Sequence, residues 1–388
     1  GATYGHTNFL AEKAREVYHY SHHHHYPADD TLWARDHRKS PLYNRLAALG
    51  AEFGEKNGWE RVNFFRPGEP SRQAADDQHQ WGWGRAPYHD LIREECLAAR
   101  ERVALFDMTS FGKFEVSGPG ALGLLQRVAC NNVDRPVGSL VYTQFLNAHG
   151  GIESDLTVCR LAGDRFRIIT GTSFLSNDLE WVRSHAPADG SVEVSDVTDD
   201  FACIGMWGPG ARDVLGQATG DDLSNDAFPY LTARQLTVAG KPAWAQRVSY
   251  IGELGWELYL ANTDAGAVWD ALLELGQAHG IRPAGYKALD SLRLEKGYVY
   301  WSTDVTPEDN LLEAGMGFCA DMAKGDFIGR DALAKLKGEG LQTRLRTVIL
   351  EGNALPAYGA ESVWHDNKIV SRLRSAGHAH TIDRSIGY

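Results

Sequence analysis

Residues 142–158, YTQFLNAHGGIESDLTV, set a carboxylate where chemistry can use it. Two alternating runs flank Gly150 and Gly151, so the spacing predicts a hairpin whose second strand carries Glu153, Asp155 and Thr157 on one face. From a rigid strand Asp155 can act as a general base or orient a proton, and Tyr142 can form an aromatic wall with a polar tip. The same spacing fits a surface hairpin with solvated acids. A second constellation, SYIGELGWELY at 249–259, holds Glu253 between glycines and starts an alternating strand with Glu257. A carboxylate accepts a bidentate pair from a fused heterocycle bearing an amino group beside a ring N–H. Tyr250 and Trp256 can give such a ring flat contact, although core packing is the plainer account of them. A third, DSLRLEKGYVYWSTDVTPEDNLLEAG from 290 onward, ends a helix at Gly297 and continues through Tyr298, Tyr300 and Trp301. Those aromatics fit a pocket lining or a buried strand.

The elements that must position these residues show an internal repeat. GKFEVS at 112–117 and ACIGMW at 202–207 both read as strands, and each runs through GPGA into a helix, ALGLLQRVA and RDVLGQA respectively. Two related subdomains are expected. Gly118, Gly120 and Gly123 spell GxGxxG, but no acidic residue follows at the distance a dinucleotide site needs, and proline removes a backbone donor. The second copy has Asp213 where the third glycine would be, so a structural turn is the better reading and no FAD or NAD is expected on this chain. Helices are predicted at 89–103, 267–279, 288–296 and 330–336, with a hairpin-like stretch at 243–260. From Leu345 onward, short alternating runs between turn residues suggest a small antiparallel barrel. Residues 1–65 differ in composition and read as the remnant of another domain, with 66–87 as a linker, a main domain at 88–340 and a tail at 341–388. The chain begins at Gly1 rather than Met, so the reading allows for a piece of a longer protein.

Composition narrows the chemistry. A net charge of -12 argues against nucleic acid or an anionic membrane as partner and points to small molecules. Five scattered cysteines without a CxxC pair fit a reducing compartment and no disulfide framework. No apolar run is long enough for a membrane span and no signal peptide is evident, so a cytoplasmic protein is expected, or one of the mitochondrial matrix if eukaryotic. The run HYSHHHH at 19–25 lacks nearby ligand partners at metal spacing, and no metal site is expected.

The three constellations, in this order and spacing, resemble the aminomethyltransferase (glycine cleavage T-protein) family, most nearly the C-terminal, tetrahydrofolate-binding half of dimethylglycine and sarcosine dehydrogenases and oxidases. The resemblance covers about 88–388, and RKSPLYNRLAALGAEFGEKNGWERVNFF upstream looks like the segment joining flavin and folate domains in those enzymes. It implies an α+β fold, a cloverleaf of subdomains around a central folate channel, with the tail as its small barrel. Asp155 then falls on the essential aspartate, and Tyr142, Tyr250 and Glu257 on positions contacting the pterin. Trp301 joins them as a fourth candidate for folate contact. Leu289 stands where many members have an arginine, leaving Arg293 or Lys296 as substitutes. The implied activity is capture, on tetrahydrofolate, of the carbon of an N-methyl amine as an iminium or formaldehyde, giving 5,10-methylenetetrahydrofolate. FAD would sit on a partner domain or subunit. Direct methyl transfer to folate, or folate binding without catalysis, are the alternatives.

Overall fold

Two sheets, each fed by the same turn, form the body of the protein in a computed structural model that describes residues 6–22, 30–73, 82–352 and 356–388. In the first, strand Gly112–Ser117 ends at Gly118, whose φ of 109° suits only glycine, and helix Ala121–Val128 follows. In the second, strand Phe201–Trp207 ends at Gly208 (φ 142°) before helix Ala211–Ala218. A Cβ at these glycines would lie 2.4 Å from the Ser191 carbonyl oxygen and 2.3 Å from that of Arg102. Within the turns, the Gly120 and Gly210 N–H groups donate to those same two carbonyls, each at 3.0 Å. The GPGA turn therefore spends its amide on the protein, which leaves none for a cofactor phosphate.

The first sheet is antiparallel, in the order Leu140–Leu146, Ile152–Ala162, Arg165–Thr170, Gly112–Ser117, Glu193–Asp196. The second runs Ala233–Val238, Lys241–Gln246, Gly255–Ala261, Phe201–Trp207, Ala104–Asp107, Arg282–Pro283, with only the last pair parallel. Each sheet buries its outer face under its own helices. Leu156 and Val158 pack against Leu124, Leu125, Leu179 and Val182 on the first, and Ile204 and Leu258 against Val214, Val268, Trp269 and Leu272 on the second. The architecture is a mixed helix-and-sheet fold.

Three expectations change. The helix predicted from Ala267 spans Asn262–Leu275, because Gly266 is no break. A Cβ there would meet the Arg45 guanidinium at 2.4 Å, so the glycine admits a close approach. The boundary expected at residue 65 does not divide one core from another. Strands Ala51–Lys56 and Trp59–Phe65 bring Phe53, Val62 and Phe65, with Leu42 and Leu46, into the cluster that covers the second sheet. In the tail, Val348–Ile349, Arg384–Gly387 and Ala376–Ala379 form a three-stranded sheet, and Ser362–His365 with Lys368–Arg372 a separate hairpin. Among the described residues these do not close into a barrel. The hairpin leaves Trp364, Ile369 and Val370 exposed, so no second layer lies on it. No helix among the described residues is long and apolar enough to cross a membrane. All five cysteines are buried free thiols.

Candidate active site

The hairpin at 142–158 is locked by its own turn and by the third constellation. Asn147 accepts from the His149 and Gly151 N–H groups (3.0 and 2.9 Å) and donates to Glu153 (2.9 Å). The TPEDN loop crosses this turn, where the Ile152 N–H donates to the Asp309 carbonyl at 3.1 Å. A Cβ on Gly151 would fall 1.8 Å from the Pro307 carbonyl oxygen, so the second glycine is fixed by that crossing. Alternation then does the sorting. Ser154, Leu156 and Val158 are buried, while Glu153, Asp155 and Thr157 share the opposite, solvent-reached face. Glu153 is held by Asn147 at the turn, and Asp155 is the acid of that face further along the strand.

Gln144, opposite Asp155 on the ladder, donates to it through Nε2 at 2.8 Å, and the Tyr142 hydroxyl donates as well. Burial pushes the Asp155 carboxyl up to about 6, with the two hydrogen bonds drawing it back, and no cation among the described residues pairs with it. Behind it lies Asp178, which accepts from Ser154 (2.6 Å) and Thr170 and is also pushed up to about 6, chiefly by burial. Tyr142 is pushed up by burial and then by Asp155, with Cys319 and Tyr250 beside it. The Tyr250 hydroxyl donates to the Val299 carbonyl at 3.0 Å. Trp301 reaches the same strand, its indole N–H donating to the Ile152 carbonyl at 2.8 Å with Phe174 edge-on at 4.8 Å. Four of the five sequence candidates are thus brought together: Asp155, Tyr142, Tyr250 and Trp301.

The fifth, Glu257, stands on the second sheet, where the Tyr259 hydroxyl donates to it at 2.7 Å. Burial raises its carboxyl to about 7, and the Lys113 ammonium pulls the other way. Lys113 is itself fully buried, donates to the Thr109 and Phe111 carbonyls (2.8 and 2.9 Å), and is lowered to about 8 by burial. The two groups meet through one apolar patch that joins Ile169 of the first sheet to Tyr259 and Cys203 of the second, with Tyr250, Tyr286 and Phe111 packed on it. Tyr142, Asp155, Tyr250, Glu257 and Tyr286 all touch solvent, yet burial shifts every one of them upward. That combination marks the walls of a recess between the sheets.

Several neighbours take other roles. Trp256 is buried in the outer core, packed on the far side of the second sheet. Glu253 pairs with Arg100 (2.9 Å), which also binds the Ile251 and Leu292 carbonyls (2.6 and 2.8 Å) and so pins the loop bearing Tyr250 to the helices. Leu289 is buried in the central patch. Arg293 is consumed by Asp290, Asp304, Ser375 and the Tyr298 carbonyl, and Lys296 sits 3.4 Å from Glu253. An unspent cation beside the recess, among the described residues, is Arg61, which sequence reasoning missed. Its guanidinium lies 3.3 Å over the Tyr286 ring, its charge reaches Tyr300, and its Nε is buried without a hydrogen-bond partner. No carboxylate among the described residues pairs with it. Nothing in WERVNFF singled it out, because its role arises from a strand docking against a helix far along the chain.

The fold and recess define a recognisable class. The model of the GCVT N-terminal domain matches residues 42–324. Human sarcosine dehydrogenase, mitochondrial, is 34% identical over 99% of this chain, and the chain spans 45% of that protein's length. An aminomethyltransferase of Halothermothrix orenii is 37% identical over 72% of the chain and 77% of its own length. The crystal structure of the glycine cleavage system aminomethyltransferase T from Bartonella henselae superposes with a TM-score of 0.72 at 23% identity, covering 91% of this chain and 89% of that one. The chain belongs to the GCVT aminomethyltransferase family, a family of folate-dependent, aminomethyltransferase-like one-carbon transfer. It spans less than half of the sarcosine dehydrogenase it matches.

Proposed function

We propose that the recess binds tetrahydrofolate and that Asp155 manages the proton as the carbon of an oxidised N-methyl amine, or formaldehyde derived from it, is captured as 5,10-methylenetetrahydrofolate. The observation that carries this reading is the Asp155 carboxyl, which is half-buried, held by Tyr142 and Gln144, without a cation partner among the described residues and pushed up to about 6 by burial. At neutral pH such a group is ionised yet near enough to its pKa to take up and return a proton. Folate supplies two nitrogen nucleophiles, each of which sheds a proton as it bonds to the carbon. Two C–N bonds form and the donor's bond to that carbon breaks, releasing the demethylated amine or, from formaldehyde, water. Asp155 accepts a proton from a folate nitrogen and delivers it toward the departing atom, while Tyr142 and Gln144 hold the carboxylate in line. Glu257 accepts from the amino and ring N–H groups of the pterin, and Tyr250 and Trp301 line its path. Arg61 meets the anionic tail, the portion Leu289 leaves without a partner. Holding both reactants in one recess is worth several kcal/mol, and excluding water protects the electrophilic carbon.

The oxidation belongs to a flavin-bearing domain or subunit outside this chain, reached from the side of residues 1–65. Its support is the dehydrogenase relative, of which the chain spans 45%. The experiment is calorimetric titration of tetrahydrofolate into the chain, followed by formaldehyde and analysis of the folate product. Binding, and formation of the 5,10-methylene compound faster than in the protein's absence and lost in Asp155→Asn, are expected. No binding would sink the reading, and a 5-methyl product from a methyl donor would replace it with direct transfer.

A further inference from the structure

The start of helix His89–Glu101 meets the strand Ala376–Ala379 of the tail, and three histidines converge there. His89, His378 and His380 offer ring nitrogens that all lie within 4.8 Å of one another. Their ring centres form a nearly equilateral triangle with sides of 4.7, 4.8 and 4.9 Å, and the rings are mutually inclined by 48° to 69°. Three imidazoles on one tetrahedral ion, at Zn–N of ~2.05 Å plus ~1.1 Å from nitrogen to ring centre, would put the centres ~5 Å apart. Simple packing does not require such a triangle, and these rings are not hydrogen-bonded to one another. His380 is buried, and its Nδ1 has no hydrogen-bond partner among the described residues. An orphaned imidazole nitrogen in a protein interior calls for a ligand.

We propose that His89, His378 and His380 bind a divalent transition-metal ion of the zinc type, one nitrogen from each, with solvent completing the shell, and that the ion clamps the C-terminal sheet to the body. The surroundings are those of a metal-ligand set. Nε2 of His378 faces the Asp383 carboxylate at 3.0 Å, the carboxylate–histidine pairing that fixes ring orientation in metal sites and leaves Nδ1 for the ion. His378 lies on the strand and His380 at the turn just past its end, and both rings meet that of His89. The scaffold is independently fixed: Ser291 donates to the His378 carbonyl at 2.7 Å, and Thr381 bonds to Glu295 through its N–H (3.0 Å) and hydroxyl (2.6 Å). Arg85 and Arg93 face the cluster, and Asp90 and Asp383 are the opposing charges. A ligand set of imidazoles alone selects zinc, copper, nickel or cobalt over magnesium and calcium.

The test uses the full chain in a background where His22 to His25 are alanine, which removes the only histidine run, after dialysis against chelator. Titration with Co²⁺ is expected to give visible ligand-field bands of a four-coordinate site at one ion per chain, and Zn²⁺ to displace it and raise the melting temperature. His89→Gln should weaken Zn²⁺ binding at least a hundredfold, and Asp383→Asn about 10–100-fold, the usual effect of removing a partner of a metal-bound histidine. Both residues are accessible, so each variant should melt cooperatively in chelator, which shows it folded even if the buried His380→Gln does not. Absence of the cobalt bands, or unchanged binding in His89→Gln, would overturn the site.

Discussion

Asp155 and Asp304 are both enclosed acids, and they are opposite devices. Asp304, fully buried, is saturated: Arg293 donates to it through Nη1, and the Tyr300 and Ser375 N–H groups complete its shell at 2.8 and 2.9 Å. That node ties the helix, the aromatic run and the tail together. Asp155 has only neutral donors among the described residues, touches solvent and is pushed up to about 6 by burial. Burial with a cation builds structure, whereas burial without one leaves a proton to be moved.

The comparison breaks first at its chemical end. Asp155→Asn keeps the size and one acceptor but cannot take a proton, so turnover should fall about 10²–10⁴-fold while tetrahydrofolate affinity by calorimetry stays within a few-fold. In the native chain, activity should rise with pH through an apparent pKa of about 6, as the base becomes ionised. Equal losses of binding and turnover would make Asp155 a binding group only. At the structural end, Asp304→Asn removes the fully buried counter-charge of Arg293 and leaves it only the exposed Asp290. It should cost about 3–5 kcal/mol in denaturant unfolding, because breaking a buried pair leaves its partner charge poorly compensated. A loss under 1 kcal/mol would erase the distinction between the two acids.

Asp178 tests the same contrast through pH. Its folded pKa of about 6 lies above that of an unfolded aspartate, so the stability it contributes is complete below about 4 and is lost as pH rises through 6. Asp155 and Glu257 tilt the native curve the same way, so the informative quantity is the difference from a variant. Asp178→Asn should gain up to about 2 kcal/mol on the native chain between pH 4.5 and 8, read from urea midpoints at each pH. A constant difference would show that Asp178 is ionised throughout.

Much of the recess was legible in the sequence because its logic is local. Period-two alternation put Asp155 on a face with Glu153 and Thr157, and the GPGA turns announced two strand-to-helix units. What stayed hidden depends on segments far apart in the chain. Gln144 became a partner of Asp155 only through strand register, Arg293 was claimed by Asp304 across a loop, and Trp256 pointed to the outer core. The boundary at residue 65 misled because composition marked the segment as foreign while its apolar residues fill the shared core. The three histidines at 89, 378 and 380 carry no joint signal until the tail is folded back.

Arg61 sets the smallest and most specific test. Arg293 resembles it in charge but is spent on structure, whereas Arg61 keeps a buried Nε without a partner above the Tyr286 ring. Since no ion pair is lost among the described residues, Arg61→Ala should leave the melting temperature nearly unchanged apart from its ring contact, worth about 0.5–1 kcal/mol. Its loss should be felt by an anionic tail: KM for tetrahydrofolate should rise about tenfold with kcat unaffected, a pattern of lost uniform binding. The effect should shrink for a folate analogue that lacks the glutamate carboxylates, and added salt should weaken the native enzyme toward the variant. A drop in kcat instead, at unchanged KM, would move Arg61 from the tail to the reacting end of the recess.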